Sequence, residues 1–241
     1  MRKILISILI IILFWCAISF IFNPPEYLFP SVDQVIKSFI ERYDIYLTNM
    51  LYTIGEVLSG FIIANILGLI IAITIVYYPF LEGTITTFAM ILKTIPIIAI
   101  APLLVLWFGH GLGSKISAVT ITCFIPVLIN VMSDGKSKKL EYKNLSSLYN
   151  ITKIQEIRYI ILPGVLPCLI ASLKISSTLA IVGALVSEFV SANKGLGYLI
   201  ISNYHSMNIS GVFVCIVLSS IIGLSIYGVC DYFEKSRFSY K

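Results

Sequence analysis

Charge is scarce in this chain. Only 12% of its 241 residues are Asp, Glu, Lys or Arg, about half the share carried by an ordinary soluble domain. With 58% hydrophobic residues and a mean hydropathy of +0.97, one globular core could not hide the apolar surface, so lipid has to be the solvent for much of the chain. Histidine is nearly missing, with two residues, and the five cysteines (Cys16, Cys123, Cys168, Cys215, Cys230) show no CxxC spacing. They read as small buried hydrophobes rather than metal ligands or a disulfide framework. There is no GxxxxGK[ST] loop, so the chain does not cradle ATP in that manner. No nucleophile–base pair stands out, and no low-complexity tract, soluble domain or internal repeat is visible. The net charge of +5 does not point to nucleic acid, because the basic residues lie at helix ends and in one loop.

What is present is a series of long apolar runs. Segments of about 20 residues suit transmembrane helices, whereas barrel strands need only about 10 with alternating polarity. The runs are placed at 4–22, 50–77, 82–107, 115–132, 164–190 and 209–229, an all-α integral membrane fold with six transmembrane helices. The first follows Arg2 and Lys3 as a signal peptide would, but it is long enough to span and no small-residue cleavage site follows before Pro24-Pro25. It reads as an uncleaved span. Residues 32–46 form an amphipathic stretch, assigned to the outer surface, with Val35, Ile36, Phe39 and Ile40 at helical spacing. The division is 1–49, first span plus outer amphipathic helix, and 50–241, a core of five spans.

Within 50–77, Gly55, Gly60, Ala64, Gly68 and Ala72 recur at about four-residue spacing, a pattern that lets helices approach closely in lipid. The third run contains Lys93, Pro96 and Pro102, and prolines free backbone carbonyls that protein or a watery cavity must satisfy. Lys/Arg counts are two at the N-terminus, six in the loop 133–163 and three in the tail, against four (Lys37, Arg42, Lys115, Lys194) on the other side. Positive-inside bias then places both termini in the cytoplasm.

The loop 133–163 is the one long polar segment, with six Lys/Arg against three acids. Leu145, Leu148, Ile151, Ile154 and Ile157 recur at helical spacing, and Asn150 interrupts them where a left-handed turn would suit. Two short helices with a corner between them result. By periodicity alone they serve equally as a docking element or as an amphipathic helix lying on lipid.

The loop ends Ile160-Ile161-Leu162-Pro163. This resembles the cytoplasmic signature of the inner-membrane permeases of ATP-binding-cassette importers: Glu-Ala-Ala, three residues, Gly, nine residues, Ile-x-Leu-Pro. Counting back from Pro163 puts the Gly position on Asn150 and the Glu-Ala-Ala positions on Asn144, Leu145 and Ser146, so the second half matches and the first is degenerate. Lys93-Thr94-Ile95-Pro96, Ala101-Pro102-Leu103, Leu106-Trp107-Phe108-Gly109, and Glu188 followed by Gly195-Leu196-Gly197-Tyr198 are similar to the branch serving nitrate, sulfonate, taurine and bicarbonate importers. Some of that branch handle thiamine-precursor pyrimidines or riboflavin. Glu56 stands where an Arg is common.

The resemblance implies a type I importer permease of a bacterial plasma membrane, working as a dimer, with a second copy as partner. A cassette ATPase dimer would hold ATP and Mg, this chain binding no cofactor. An extracytoplasmic solute-binding protein would deliver a small polar or anionic solute. Asn144, Leu145, Ser146, Leu148, Tyr149, Asn150, Ile160, Leu162 and Pro163 are the expected ATPase-coupling residues. Lys93, Pro96 and Glu188 are candidates for the pathway or its gate. A charge at mid-bilayer costs about 3 kcal/mol on insertion scales. Lys93 and Lys174 therefore either face water, snorkel, or pair with an acid such as Glu56, and Glu188 either gates, contacts the binding protein, or makes a structural ion pair. Two other readings are a membrane scaffold subunit of a vitamin importer, which would use longer cytoplasmic helices, and an intramembrane enzyme, which would need catalytic groups at matching depth.

Overall fold

Small residues decide how these helices pack. The structure, a computed structural model, describes the backbone of residues 2–22 and 24–238 and the side chains of residues 6, 10–22 and 24–236. Among the described residues the chain forms eleven α-helices: α1 (Arg2–Phe22), α2 (Val32–Glu41), α3 (Tyr43–Tyr77), α4 (Glu82–Thr94), α5 (Ile97–Phe108), α6 (Leu112–Glu141), α7 (Lys143–Leu148), α8 (Lys153–Glu156), α9 (Leu162–Ser191), α10 (Leu196–His205) and α11 (Ile209–Phe238). Between lipid-embedded helices there is no water to expel, so association depends on close van der Waals packing and interhelical hydrogen bonds. A Cβ added at Gly60 would meet the Val119 side chain, and one at Gly68 the Val127 side chain at 3.0 Å. At the other end the relation reverses: Gly135 of α6 receives Val76 of α3. Three glycines on two helices thus let α3 and α6 lie together along their length.

Helix α9 completes the core with polar side chains that bond to backbone rather than to water. Ser176 Oγ donates to the Cys123 carbonyl at 3.0 Å, and the Cys123 thiol donates to the Ser176 carbonyl at 3.2 Å. Asn130 Nδ2 donates to Ser172 Oγ at 3.0 Å. Helix α11 is tied to α9 through Lys174, which pairs with Asp231 at 2.9 Å and also with Glu234. Lys174 is therefore spoken for structurally. Two apolar clusters fill the bundle. One joins Val57, Val119, Ala184, Leu196 and Val214; the other joins Ile75, Val127, Val131, Ile161 and Val165. Ile62, Ile63, Ile66 and Ile70 on α3 remain exposed, as lipid-facing residues do.

Two expectations need correction. Among the described residues four helical stretches, not six, are long and apolar enough to cross a membrane: 43–77, 112–141, 153–191 and 209–236. A fifth is α4 with α5 taken together, but this third run is not one straight span. The two helices meet at 104°. Ile95 has φ −78° and ψ 122°, because the Pro96 ring excludes the preceding residue from the helical region. In α1 the apolar helix among described side chains is Ile10–Phe22, shorter than the roughly 20 residues of a crossing. Arg2 and Lys3, which flank it, have side chains outside the described set. The second span also begins earlier, at Tyr43 rather than near Met50, directly after α2.

Candidate functional site

The bend at Ile95–Pro96 opens a cavity of about 530 Å³ between α4–α5 and the faces of α6 and α9. Lys93 and Pro96 line it, as do Thr122, Pro126 and Asn130 of α6 and Leu179 of α9. Among the described residues no carboxylate lies within 4.0 Å of Lys93, and its side chain is exposed. The alternative pairing with Glu56 is not formed. The lining is thus mostly aliphatic, with one cation, an amide and a hydroxyl. Such a surface lowers the cost of passing a small anion or dipole through the bundle while offering few strong contacts to trap it.

At the end of the bundle that carries the polar loop the chain turns sharply twice. Helix α6 continues to Glu141, so the first third of the polar loop is helix rather than loop. The two short helices α7 and α8 follow, with the corner where the sequence placed it. Asn150 has φ 45°, the left-handed region that Asn tolerates better than most residues. Thr152 then caps α8, its hydroxyl accepting from the Gln155 amide at 3.3 Å while Gln155 Oε1 accepts from the Thr152 amide at 2.8 Å. A single π-helical turn over Ile157–Ile161 joins α8 to α9, so the second short helix and the long span form one continuous helical stretch. Ile161 is buried in the bundle, and Ile160 and Leu162 are half-buried. Leu145, Leu148 and Tyr149 point outward, with Leu148 78% and Tyr149 73% exposed. Asn144 and Pro163 are exposed as well, and Ser146 is half-buried.

Basic residues knit this region to the ends of α3 and α4. Lys139 Nζ donates to the Val76 carbonyl at 2.9 Å and sits 4.2 Å from the Tyr77 ring centre. Lys136 pairs with Glu82. The sequence reads these lysines as a sign of sidedness and as charges that could steer the loop onto an acidic partner surface. The structure shows that several are bound locally.

Glu188 lies elsewhere. It is buried at 1% exposure in the opposite half of the bundle and does not line the cavity. Its carboxylate accepts from Thr53 Oγ1 at 2.7 Å and from the Gly197 amide at 2.5 Å. Thr53 Oγ1 in turn accepts from the Leu196 amide at 2.8 Å, and Asn49 Oδ1 accepts from the Gly195 amide at 2.7 Å. Gly195 has φ 109°, so the 191–197 turn presents successive amides to α3. Lys115, which the sequence counts with Lys37, Arg42 and Lys194 on one side, is buried. Its ammonium donates to the His110 carbonyl at 2.7 Å and the Ser191 carbonyl at 3.3 Å, holding the turns before α6 and after α9 together. Glu188 and the 195–197 glycines were each legible as fragments of a family pattern, but the contact of Glu188 with Thr53, 135 positions away, was not. Glu156, Thr122 and Asn130 carried no sequence signal.

Comparison with known proteins agrees with this geometry. Residues 64–239 match the family model of the binding-protein-dependent transport system inner membrane component. The chain belongs to this family. Among its relatives, the formylaminopyrimidine transport permease protein ThiX of Halalkalibacterium halodurans is 30% identical over 82% of this chain and 80% of its own length. The riboflavin transport system permease protein RibX of Chloroflexus aurantiacus is 29% identical over 95% of this chain and 87% of its own length. The taurine transport system permease protein TauC of Escherichia coli is 24% identical over 61% of this chain and 54% of its own length. In fold the permease is similar to a chain of the inward-facing MetNI methionine ABC transporter, with a TM-score of 0.65 and 21% identity, covering 80% of this chain and 94% of that one. It is a multi-pass inner-membrane permease component.

Proposed function

We propose that this permease forms, with a second copy of itself, the pathway of an ATP-driven importer for a small polar or anionic solute. Lys93, Pro96 and the aliphatic lining of the bend would form each copy's half of the route. An extracytoplasmic binding protein would deliver the solute, and a cassette ATPase dimer carrying ATP and Mg would dock on α7 of each copy. Both termini would then be cytoplasmic, with α1 as a further membrane-anchored helix. The observation that carries this reading is the pairing of rigid anchorage with exposed apolar side chains at one element. Leu145, Leu148 and Tyr149 project from a corner whose other side is tied to the end of α3 through Tyr77 and Glu156 and is continuous with α9. Apolar and aromatic knobs of this kind fill clefts on a partner, and a structure that turned them to lipid would not need the polar anchorage behind them. Rigid-body tilting of α9 with its attached α8 would switch access to the cavity.

The solute class rests on Lys93, an unpaired cation in an otherwise neutral cavity. The similarity to ThiX and RibX supports a second reading in which the solute is a planar heteroaromatic nutrient, passing among the aliphatic lining residues.

The test is Leu148→Asp, scored by co-purification of the cassette ATPase in mild detergent. The substitution puts a charge at the centre of the apolar patch, at a cost of about 2–4 kcal/mol or more than tenfold in affinity. Loss of the ATPase with an unchanged elution profile of the permease is expected. Undiminished co-purification would show that α7 is not the docking element.

A further inference from the structure

Glu156 stands apart from the other charged residues of the inner face. It is nine-tenths buried, while its neighbours Lys153 and Gln155 are exposed. Its two carboxylate oxygens go to two different parts of the protein. Oε2 accepts from the Tyr77 hydroxyl at 2.8 Å, and Tyr77 is the last residue of α3. Oε1 accepts from the Ser146 hydroxyl at 3.0 Å, and Ser146 lies in α7. Glu156 itself sits at the end of α8, which runs through the π-turn into α9. One carboxylate therefore joins the docking helix to two of the three central helices.

The rest of α7 offers no substitute. No residue of α7 is buried. Its other side-chain hydrogen bond, Ser147 Oγ to the Asn144 carbonyl, is internal to the helix. Among the described residues, Ser146–Glu156 is thus the one side-chain hydrogen bond by which α7 is held to anything beyond itself. The flanking connections are the Tyr142 turn and the Asn150 corner, which are backbone alone. A displacement of α7 that is not gripped at its centre would be absorbed as rotation about these two joints.

We propose that Glu156 is a positioning residue that transmits motion of α7 to α3 and α9, an inference that rests on the docking role of α7 set out above. A buried carboxylate with two short donors is a stiff link, because breaking either contact leaves a poorly solvated charge with one partner lost. A surface lysine–glutamate pair would stretch through water instead. The family pattern places its own Glu at the position held here by Asn144; in this chain the buried carboxylate comes from the second short helix.

The test uses the permease assembled with its cassette ATPase in proteoliposomes, carrying Ile129→Cys in the cavity lining. The rate of labelling by a membrane-impermeant maleimide is measured with and without ATP plus vanadate. In this background nucleotide is expected to change the rate by about tenfold or more, the span of a two-state switch of a few kcal/mol. Glu156→Ala is expected to bring that change close to unity while the ATPase still co-purifies and hydrolyses ATP. Glu156→Gln, which keeps an acceptor for one hydroxyl, is expected to restore part of it. Tyr77→Phe cuts the link from the far side without touching α7 or α8 and is expected to fall between Gln and Ala. A purely structural role would instead lower ATPase retention along with the labelling change, and that result overturns the proposal. So does a full nucleotide response in both Glu156→Ala and Tyr77→Phe. If the Glu156→Ala permease itself fails to fold and cannot be purified, Tyr77→Phe alone decides, by a diminished or an undiminished response. Failure of the docking reading would show separately, as absence of the ATPase from the preparation lacking any substitution at Glu156 or Tyr77.

Discussion

Gly183→Ala puts the close packing of α9 on α6 to a direct test. A Cβ at this position would lie 2.6 Å from Thr122 Oγ1, 3.0 Å from Val119 Cα and 3.2 Å from the Ala118 carbonyl oxygen. Two of these three atoms are backbone, so no rotamer change in α6 clears the space and the helices must separate. Overpacking of this kind costs about 1–3 kcal/mol, and rigid backbone neighbours put it at the upper end. Ala recovers about 1 kcal/mol over Gly through helix propensity, leaving a net loss of about 2 kcal/mol. Gly55→Ala is the matched control, since no atom lies within 4 Å of its added Cβ; it receives the propensity gain alone. For a chain of this size each kcal/mol moves Tm by about 2–4 °C, so Gly183→Ala should melt about 4–8 °C lower and Gly55→Ala about 2–4 °C higher. A thiol-reactive dye reads this without added labels, because Cys123, Cys215 and Cys230 are buried and react only on unfolding. Cys16 is exposed and sets the starting signal. Equal shifts for the two substitutions, or a Gly183→Ala protein as stable as the parent, would refute the argument that close approach at this crossing holds the bundle.

Two further outcomes follow from the same geometry. Glu188→Ala removes the acceptor for both Thr53 and the Gly197 amide; with hydrogen bonds in lipid worth about 1 kcal/mol apiece and two donors left unpaired, a loss of about 2–4 kcal/mol is expected. The dye assay should show it as a clear drop in Tm, with Glu188→Gln milder, and an unshifted curve would remove Glu188 from the outer network. Lys93→Met should leave Tm and ATPase co-purification unchanged but slow uptake of an alkanesulfonate probe by about tenfold, the value of one charge-assisted contact; normal uptake by the assembled variant would take Lys93 out of the pathway.

Much of the inner corner could be read from local pattern. The spacing of Leu145 and Leu148, the break at Asn150 and the Ile-x-Leu-Pro ending are all properties of consecutive residues, and the left-handed Asn150 and the two short helices are where that pattern placed them. The bend of the third run was only half legible. Pro96 marks it, but a proline inside a span equally produces a kink, and Pro102, Pro126 and Pro167 all sit inside continuous helices. What separates Pro96 is that the helix ends before it: Ile95 takes an extended ψ of 122° and a new helix starts at Ile97. The role of the lysines was least legible, because a basic residue has the same effect on sidedness whether it hangs in water or, as Lys115 does, is buried against two carbonyls.

Sequence alone settled the solvent, the helical class and the family of this permease, because hydropathy, helix period and short motifs are written in neighbouring residues. Tertiary structure decided which small residues meet, which lysines are free, and that Thr53 reaches Glu188 while Tyr77 reaches Glu156. Those are contacts between residues far apart in the chain, chosen by how helices rotate and tilt to exclude lipid, and nothing in a local pattern sets that rotation.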